Sequence, residues 1–125
     1  MKEIIHSPKA PAPIGPYSQA VKSGNLLYVS GQIPIDESQG TLVEGSIEAE
    51  TEQVMKNLGY ILEAAGLSYD HVLKCSIFVS DMGNFSRINE VYGRFFQENP
   101  PARETVEVSD LPKGVNVEIS CIATY

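Results

Sequence analysis

The chain reads as an α+β protein, a mixed β-sheet with two helices packed on one face. Three observations lead there. Segments whose apolar residues alternate with period two bracket two segments with helical spacing. Their order, strand, strand, helix, strand, helix, strand, strand, suits one layer of each kind. The 125 residues, 42% hydrophobic and 20% charged, have the size and composition of one ordinary globular domain. No repeat, low-complexity tract or linker divides residues 1–125, so a single domain is expected.

The elements follow in order. A short extended start at Lys2 to Ile5 leads into SPKAPAPIGPYS, which holds four of the eight prolines and is expected to be an ordered extended loop. Gln19 to Lys22 and Leu26 to Ile33 flank Ser23, Gly24 and Asn25, residues suited to a tight hairpin turn. Pro34 to Gly45 is polar and irregular. Ser46 can cap the first helix, with Glu48 and Glu50 at its positive end. Ile47, Thr51, Val54, Leu58, Ile61, Leu62 and Ala65 form the apolar stripe of that helix, and Gly66 supplies a left-handed stop. His71 to Ser80 reads as a strand with Leu73, Cys75, Ile77 and Val79 on one side. A second helix is expected from about Met82 to Gln97, with Phe85, Ile88, Tyr92, Phe95 and Phe96 forming its apolar stripe, ended by Asn99, Pro100 and Pro101. Asn89 shares that apolar face, and a buried amide needs partners, either backbone groups or a polar pocket.

The last two strands carry the chemistry. In PPARETVEV, Arg103, Thr105 and Glu107 alternate with Ala102, Val106 and Val108; in VNVEIS, Glu118 lies opposite Val115, Val117 and Ile119. If both valine faces meet the core, Arg103 and Glu118 share one polar surface, a fork for a carboxylate beside an acid that can take a proton from water. A lone charge on a strand is ordinarily just solvated. Here the charges have company: Ser30 sits on the polar side of LLYVSGQIP, and Gly31 after it marks a bulge or a place where a ligand approaches the backbone. Tyr28 and Phe78 also fall on the polar face, which argues that other copies of the chain cover it.

Composition excludes several classes. Sixteen acidic against nine basic residues give a formal net charge of -7, which argues against a nucleic-acid partner. There is no apolar run near 18 residues and no leader pattern in MKEIIHSPKA, so the chain is expected to be cytoplasmic, with no membrane association. Cys75 and Cys121 each alternate in phase with apolar neighbours and read as buried thiols, and His6 and His71 are isolated, so neither a disulfide nor a metal site is indicated.

GPYSQA at Gly15 to Ala20, YVSGQIP at Tyr28 to Pro34, NEVYGRFF at Asn89 to Phe96, PPAR at Pro100 to Arg103, VEVSDLPKG at Val106 to Gly114 and VEI at Val117 to Ile119 resemble the RidA/YjgF family. The resemblance runs nearly end to end, and the YabJ-type purine regulatory members are among those the chain is most similar to. It implies a chorismate-mutase-like fold and a homotrimer with ligand clefts between subunits. The implied reaction is hydrolysis of 2-aminoacrylate, 2-aminocrotonate and their imino tautomers to 2-keto acids and ammonia, with no cofactor. Arg103 matches the family's carboxylate-binding arginine and Glu118 the acid associated with the attacking water. Tyr17, Ser30, Gly31 and Asn89 match other cleft positions, while Thr105 stands where many members carry cysteine, so thiol chemistry is excluded there. The resemblance leaves open a non-catalytic reading, a small-carboxylate-binding or regulatory protein acting in purine synthesis.

Overall fold

The computed structural model describes residues 1–125. Six strands form one sheet: β1 (Glu3–Ile5), β2 (Ala20–Ser23), β3 (Leu26–Gln32), β6 (Val72–Val79), β7 (Ala102–Glu107) and β8 (Val117–Thr124), in the spatial order β1-β2-β3-β8-β6-β7. Only the β6/β7 pair is parallel, which makes the sheet mixed as expected. Two further short strands, β4 (Ile35–Asp36) and β5 (Thr41–Leu42), pair as a separate small hairpin inside the stretch read as irregular. Their two-residue lengths leave no alternation to read.

Helix α1 (Ile47–Ala64) forms as its caps predict. Ser46 Oγ accepts from Ala49 N at 3.1 Å, and Gly66 turns left-handed at φ 80° so that Leu67 N can reach Leu62 O at 2.8 Å. Its inner face adds Glu50, Met55 and Asn57 to the expected apolar stripe. Helix α2 (Phe85–Gly93) is shorter than the predicted span; a 3-10 turn at Met82–Asn84 precedes it, and the chain leaves helical geometry before Phe95. Both helices lie on one sheet face. There Leu27, Val29, Cys75, Ile77, Val117, Ile119 and Cys121 meet Val54, Leu58, Ile61, Ile88 and Tyr92 in one core.

Two expectations are corrected. Leu73 is 48% exposed, because the register slips between Val72 and Lys74 and the resulting irregularity turns Val72 inward in its place. More consequential is the face of β7. Side chains in register across neighbouring strands share a face. One such row runs Arg103, Cys75, Cys121 and another Thr105, Ile77, Ile119, both on the helix-bearing side; the row Val106, Phe78, Glu118 lies on the open side. Arg103 and Glu118 therefore project from opposite faces. The valine pattern misled because β7 is an edge strand beyond the reach of the core: Val106 is 42% exposed on the open face.

Candidate functional site

The site residues gather in two groups, one on each face. On the open face, Tyr17, Ser30, Gly31 and Glu118, with Ile14, Ile33 and Pro112, line a cleft of about 350 Å³. The loop before β2 reaches it because buried Gln19 ties that loop down. Gln19 Oε1 accepts from Ser7 N at 2.6 Å, and its Nε2 donates to the carbonyls of Ser7 at 3.1 Å and Pro11 at 2.9 Å. Ser30 is held as well, its hydroxyl donating to Ser18 O at 2.6 Å and its N–H to Gln19 O at 2.9 Å. These bonds leave Ser30 a structural clamp of the cleft wall.

Gly31 falls where the β3/β8 register shifts between Val29 and Gln32. The shift lays the Glu118 side chain directly over its Cα: a Cβ at Gly31 would sit 2.8 Å from Glu118 Cδ and 3.0 Å from Cγ. The register shift is the bulge the sequence suggested, and the approach of Glu118, which it did not suggest, is what requires a glycine there. Glu118 is half-buried against Ile14, Ile33 and Pro112, and burial holds its carboxyl above the usual glutamate pKa. A raised carboxylate is the stronger base, suited to taking a proton from water near neutral pH.

The second group sits where α2 meets edge strand β7. The Arg103 guanidinium donates to Asn89 Oδ1 and lies over two rings, 5.1 Å from the Tyr92 centroid and 5.5 Å from that of Phe85. Asn89 is only partly buried, and its partner is a side chain rather than backbone: it orients Arg103. Amide and rings bracket an exposed planar cation, a group suited to pairing with a carboxylate. Beside it the Thr105 and Tyr92 hydroxyls are buried without a hydrogen-bond partner, and burial pushes the Tyr92 phenol well up. Buried hydroxyls normally find partners; the Cys75 thiol adjoins the Tyr92 hydroxyl, and Thr105 Oγ1 has none within the chain.

Ile14, Ile33 and Pro112 are cleft residues that the sequence reading did not single out. Pro112 lies within the VEVSDLPKG segment already noted, but nothing in its position along the chain says which loop face it presents. Both cysteines are buried as expected and stand opposite each other across β6 and β8; burial raises both thiols.

The chain is similar to known proteins over nearly its whole length. The family described as Endoribonuclease L-PSP matches residues 7–125. The chain is 53% identical to a RutC family protein of Pyrococcus horikoshii, over 98% of each. It is 46% identical to the 2-iminobutanoate/2-iminopropanoate deaminase of Mus musculus, over 98% of this chain and 91% of that one. Its fold superposes on the crystal structure of Escherichia coli TdcF with bound serine at a TM-score of 0.94, with 38% identity and 98% of each chain covered. The chain belongs to the RidA/YjgF family, the one the L-PSP description denotes. No helix is long and apolar enough to cross a membrane.

Proposed function

We propose that the chain hydrolyses small 2-imino acids, the tautomers of 2-aminoacrylate and 2-aminocrotonate, to 2-keto acids and ammonia, in clefts between the subunits of a homotrimer. The observation that carries this reading is the split site: an acid poised to activate water on one face and a bracketed arginine on the other. A substrate small enough to touch both can do so only if a second copy brings its Arg103 group to the first copy's Glu118 cleft. The open face has the apolar surface such an assembly would cover, with Tyr28 47% and Val106 42% exposed. Relatives named as imine deaminases support the chemistry, and TdcF with bound serine supports a small amino-acid-like ligand.

In the proposed reaction Arg103 of one subunit grips the substrate carboxylate through paired N–H donors, oriented by Asn89. The imine carbon then lies against the neighbouring cleft, where Glu118 removes a proton from water as the oxygen bonds to that carbon. The resulting carbinolamine carries its hydroxyl and amino groups on one carbon. That amino group forms as the proton held by Glu118 passes to the nitrogen; the hydroxyl proton then moves through Glu118 to the same nitrogen as the C–N bond breaks, so ammonia leaves with the electron pair and the keto group forms. Atoms balance with water as the only co-reactant.

Cleavage of RNA, to which the family description refers, is less well supported by the charges. Of nine Lys and Arg residues, Lys9, Lys56, Lys74, Arg87 and Arg94 already pair with glutamates, leaving little cationic surface for phosphates. The deciding experiment generates 2-aminocrotonate in place with a threonine dehydratase and follows 2-ketobutyrate. Acceleration by the protein that Arg103→Ala abolishes supports the reading; no acceleration rejects it.

A further inference from the structure

A buried carboxylate outside both groups reaches the strand that carries Glu118. Glu50, in the first turn of α1, is 6% exposed. Both its oxygens are engaged by one residue: Oε1 accepts from Asn116 N at 3.1 Å and Oε2 from Asn116 Nδ2 at 2.8 Å. Asn116 in turn is tied to the end of β6, its Oδ1 accepting from Ser80 Oγ at 3.0 Å and its carbonyl from Ser80 N at 3.2 Å. A residue next to the start of β8 is thus fixed from the helix layer and from the neighbouring strand.

What this fixes is the wall of the cleft. Pro112 to Asn116 separates two cavities: Pro112 lines the Glu118 cleft, while Lys113 to Asn116 line a second cavity of about 260 Å³ that also contains Glu50. The segment bends sharply, with Lys113 at φ 58° and Gly114 at φ 68°. A lysine in the left-handed region costs about 1 kcal/mol or more and persists only where its surroundings impose it. The Glu50 bonds are the anchor on its far side. One residue, the fully buried Val117, separates Asn116 from Glu118. A shift of Asn116 is therefore passed to the Glu118 backbone.

We propose that Glu50 is a positioning residue, a latch that holds the Pro112 to Asn116 turn and sets Glu118 over Gly31. The proposal rests on the imine-hydrolysis reading for its kinetic consequence and on geometry alone for its structural one. Glu50→Gln leaves one acceptor oxygen for two donors and turns an NH2 toward Asn116. Because Arg103 and Asn89 lie on the other face, KM should stay within about threefold while kcat falls on the order of tenfold, the scale expected for sub-ångström misplacement of a catalytic group. Asn116→Ala, at an exposed position, removes the Nδ2 half of the same link without touching α1 and should give the same split. The double variant Glu50→Gln/Asn116→Asp keeps net charge and rebuilds the pair, the new amide donating to the new carboxylate; it should recover kcat to within about threefold of the parent.

Amide hydrogen exchange at Val115 to Ile119 provides a readout independent of turnover. Protection should fall in Glu50→Gln and Asn116→Ala and return in the double variant. Unchanged kcat and protection in Asn116→Ala, or a double variant no better than Glu50→Gln on both readouts, would overturn the latch. A parent protein with no imine hydrolysis would sink the functional reading instead, and exchange would still decide the latch.

Discussion

Gly31→Ala moves the Glu118 carboxylate without replacing any charged or polar side chain. The added Cβ would stand 2.8 Å from Glu118 Cδ, whereas carbon atoms pack at about 3.5–4.0 Å, so the carboxylate must retreat by about 1 Å. Gly31 is not among the positive-φ residues, and alanine suits its backbone. Alanine in a strand even recovers some of the entropy that glycine loses on folding, about 0.5–1 kcal/mol. Folding stability should therefore change by no more than about 1 kcal/mol. Misplacing a reacting group by 1 Å costs on the order of 100-fold, equivalent to about 2.7 kcal/mol of barrier. The assay couples threonine dehydratase to the variant and reads 2-ketobutyrate formation, with thermal unfolding measured in parallel. A large rate loss with an unchanged unfolding midpoint is expected. Rates within threefold of the parent would refute the placement of Glu118 at the reacting centre, and a collapsed midpoint would refute the claim that the clash is local.

Arg103→Lys keeps the charge but loses the planar fork, forfeiting one charge-assisted hydrogen bond of about 1.5–3 kcal/mol; KM should rise about 10- to 100-fold with a smaller effect on kcat. The acid limb of kcat/KM should lie above the ordinary glutamate range, because burial raises the Glu118 pKa, and a limb at or below that range would contradict the assignment. The same shift has a sign for stability. Between the unfolded pKa and the raised folded one, the folded chain binds more protons, so its stability falls as pH rises through that window. Glu118→Gln should therefore remove that slope and unfold at a higher temperature than the parent at neutral pH, though inactive. An equal or lower midpoint would count against it.

Much of this was legible in the residues. α1 announces itself through Ser46, its apolar stripe and Gly66, and the β2/β3 hairpin through Gly24, which adopts φ 61°. The sequence motifs contain Tyr17, Ser30, Gly31 and Glu118 of one group and Asn89, Tyr92 and Arg103 of the other, but neither Thr105 nor Phe85. What alternation cannot supply is the side on which an edge strand buries its apolar residues. Val106 and Val108 look like core positions, yet β7 has a neighbour on one side only and its helix-facing row is closed by Arg103, not by a valine. Buried polar partners are illegible for a related reason. Glu50 reads as a helix N-terminal acid and Gln19 as loop polarity, because their partners, Asn116 and the carbonyls around Ser7 and Pro11, are fixed only by the folded chain.

The central claim is that one active site needs Arg103 and Glu118 from different copies of the chain. Co-expressing Arg103→Ala and Glu118→Gln under separate tags and isolating the doubly tagged assembly tests it directly. Each variant alone should be inactive. Either mixed composition of a closed ring of three contains one interface with both intact residues, so the hybrid should regain about one third of the parent rate. A hybrid as inactive as either variant alone would contradict the account.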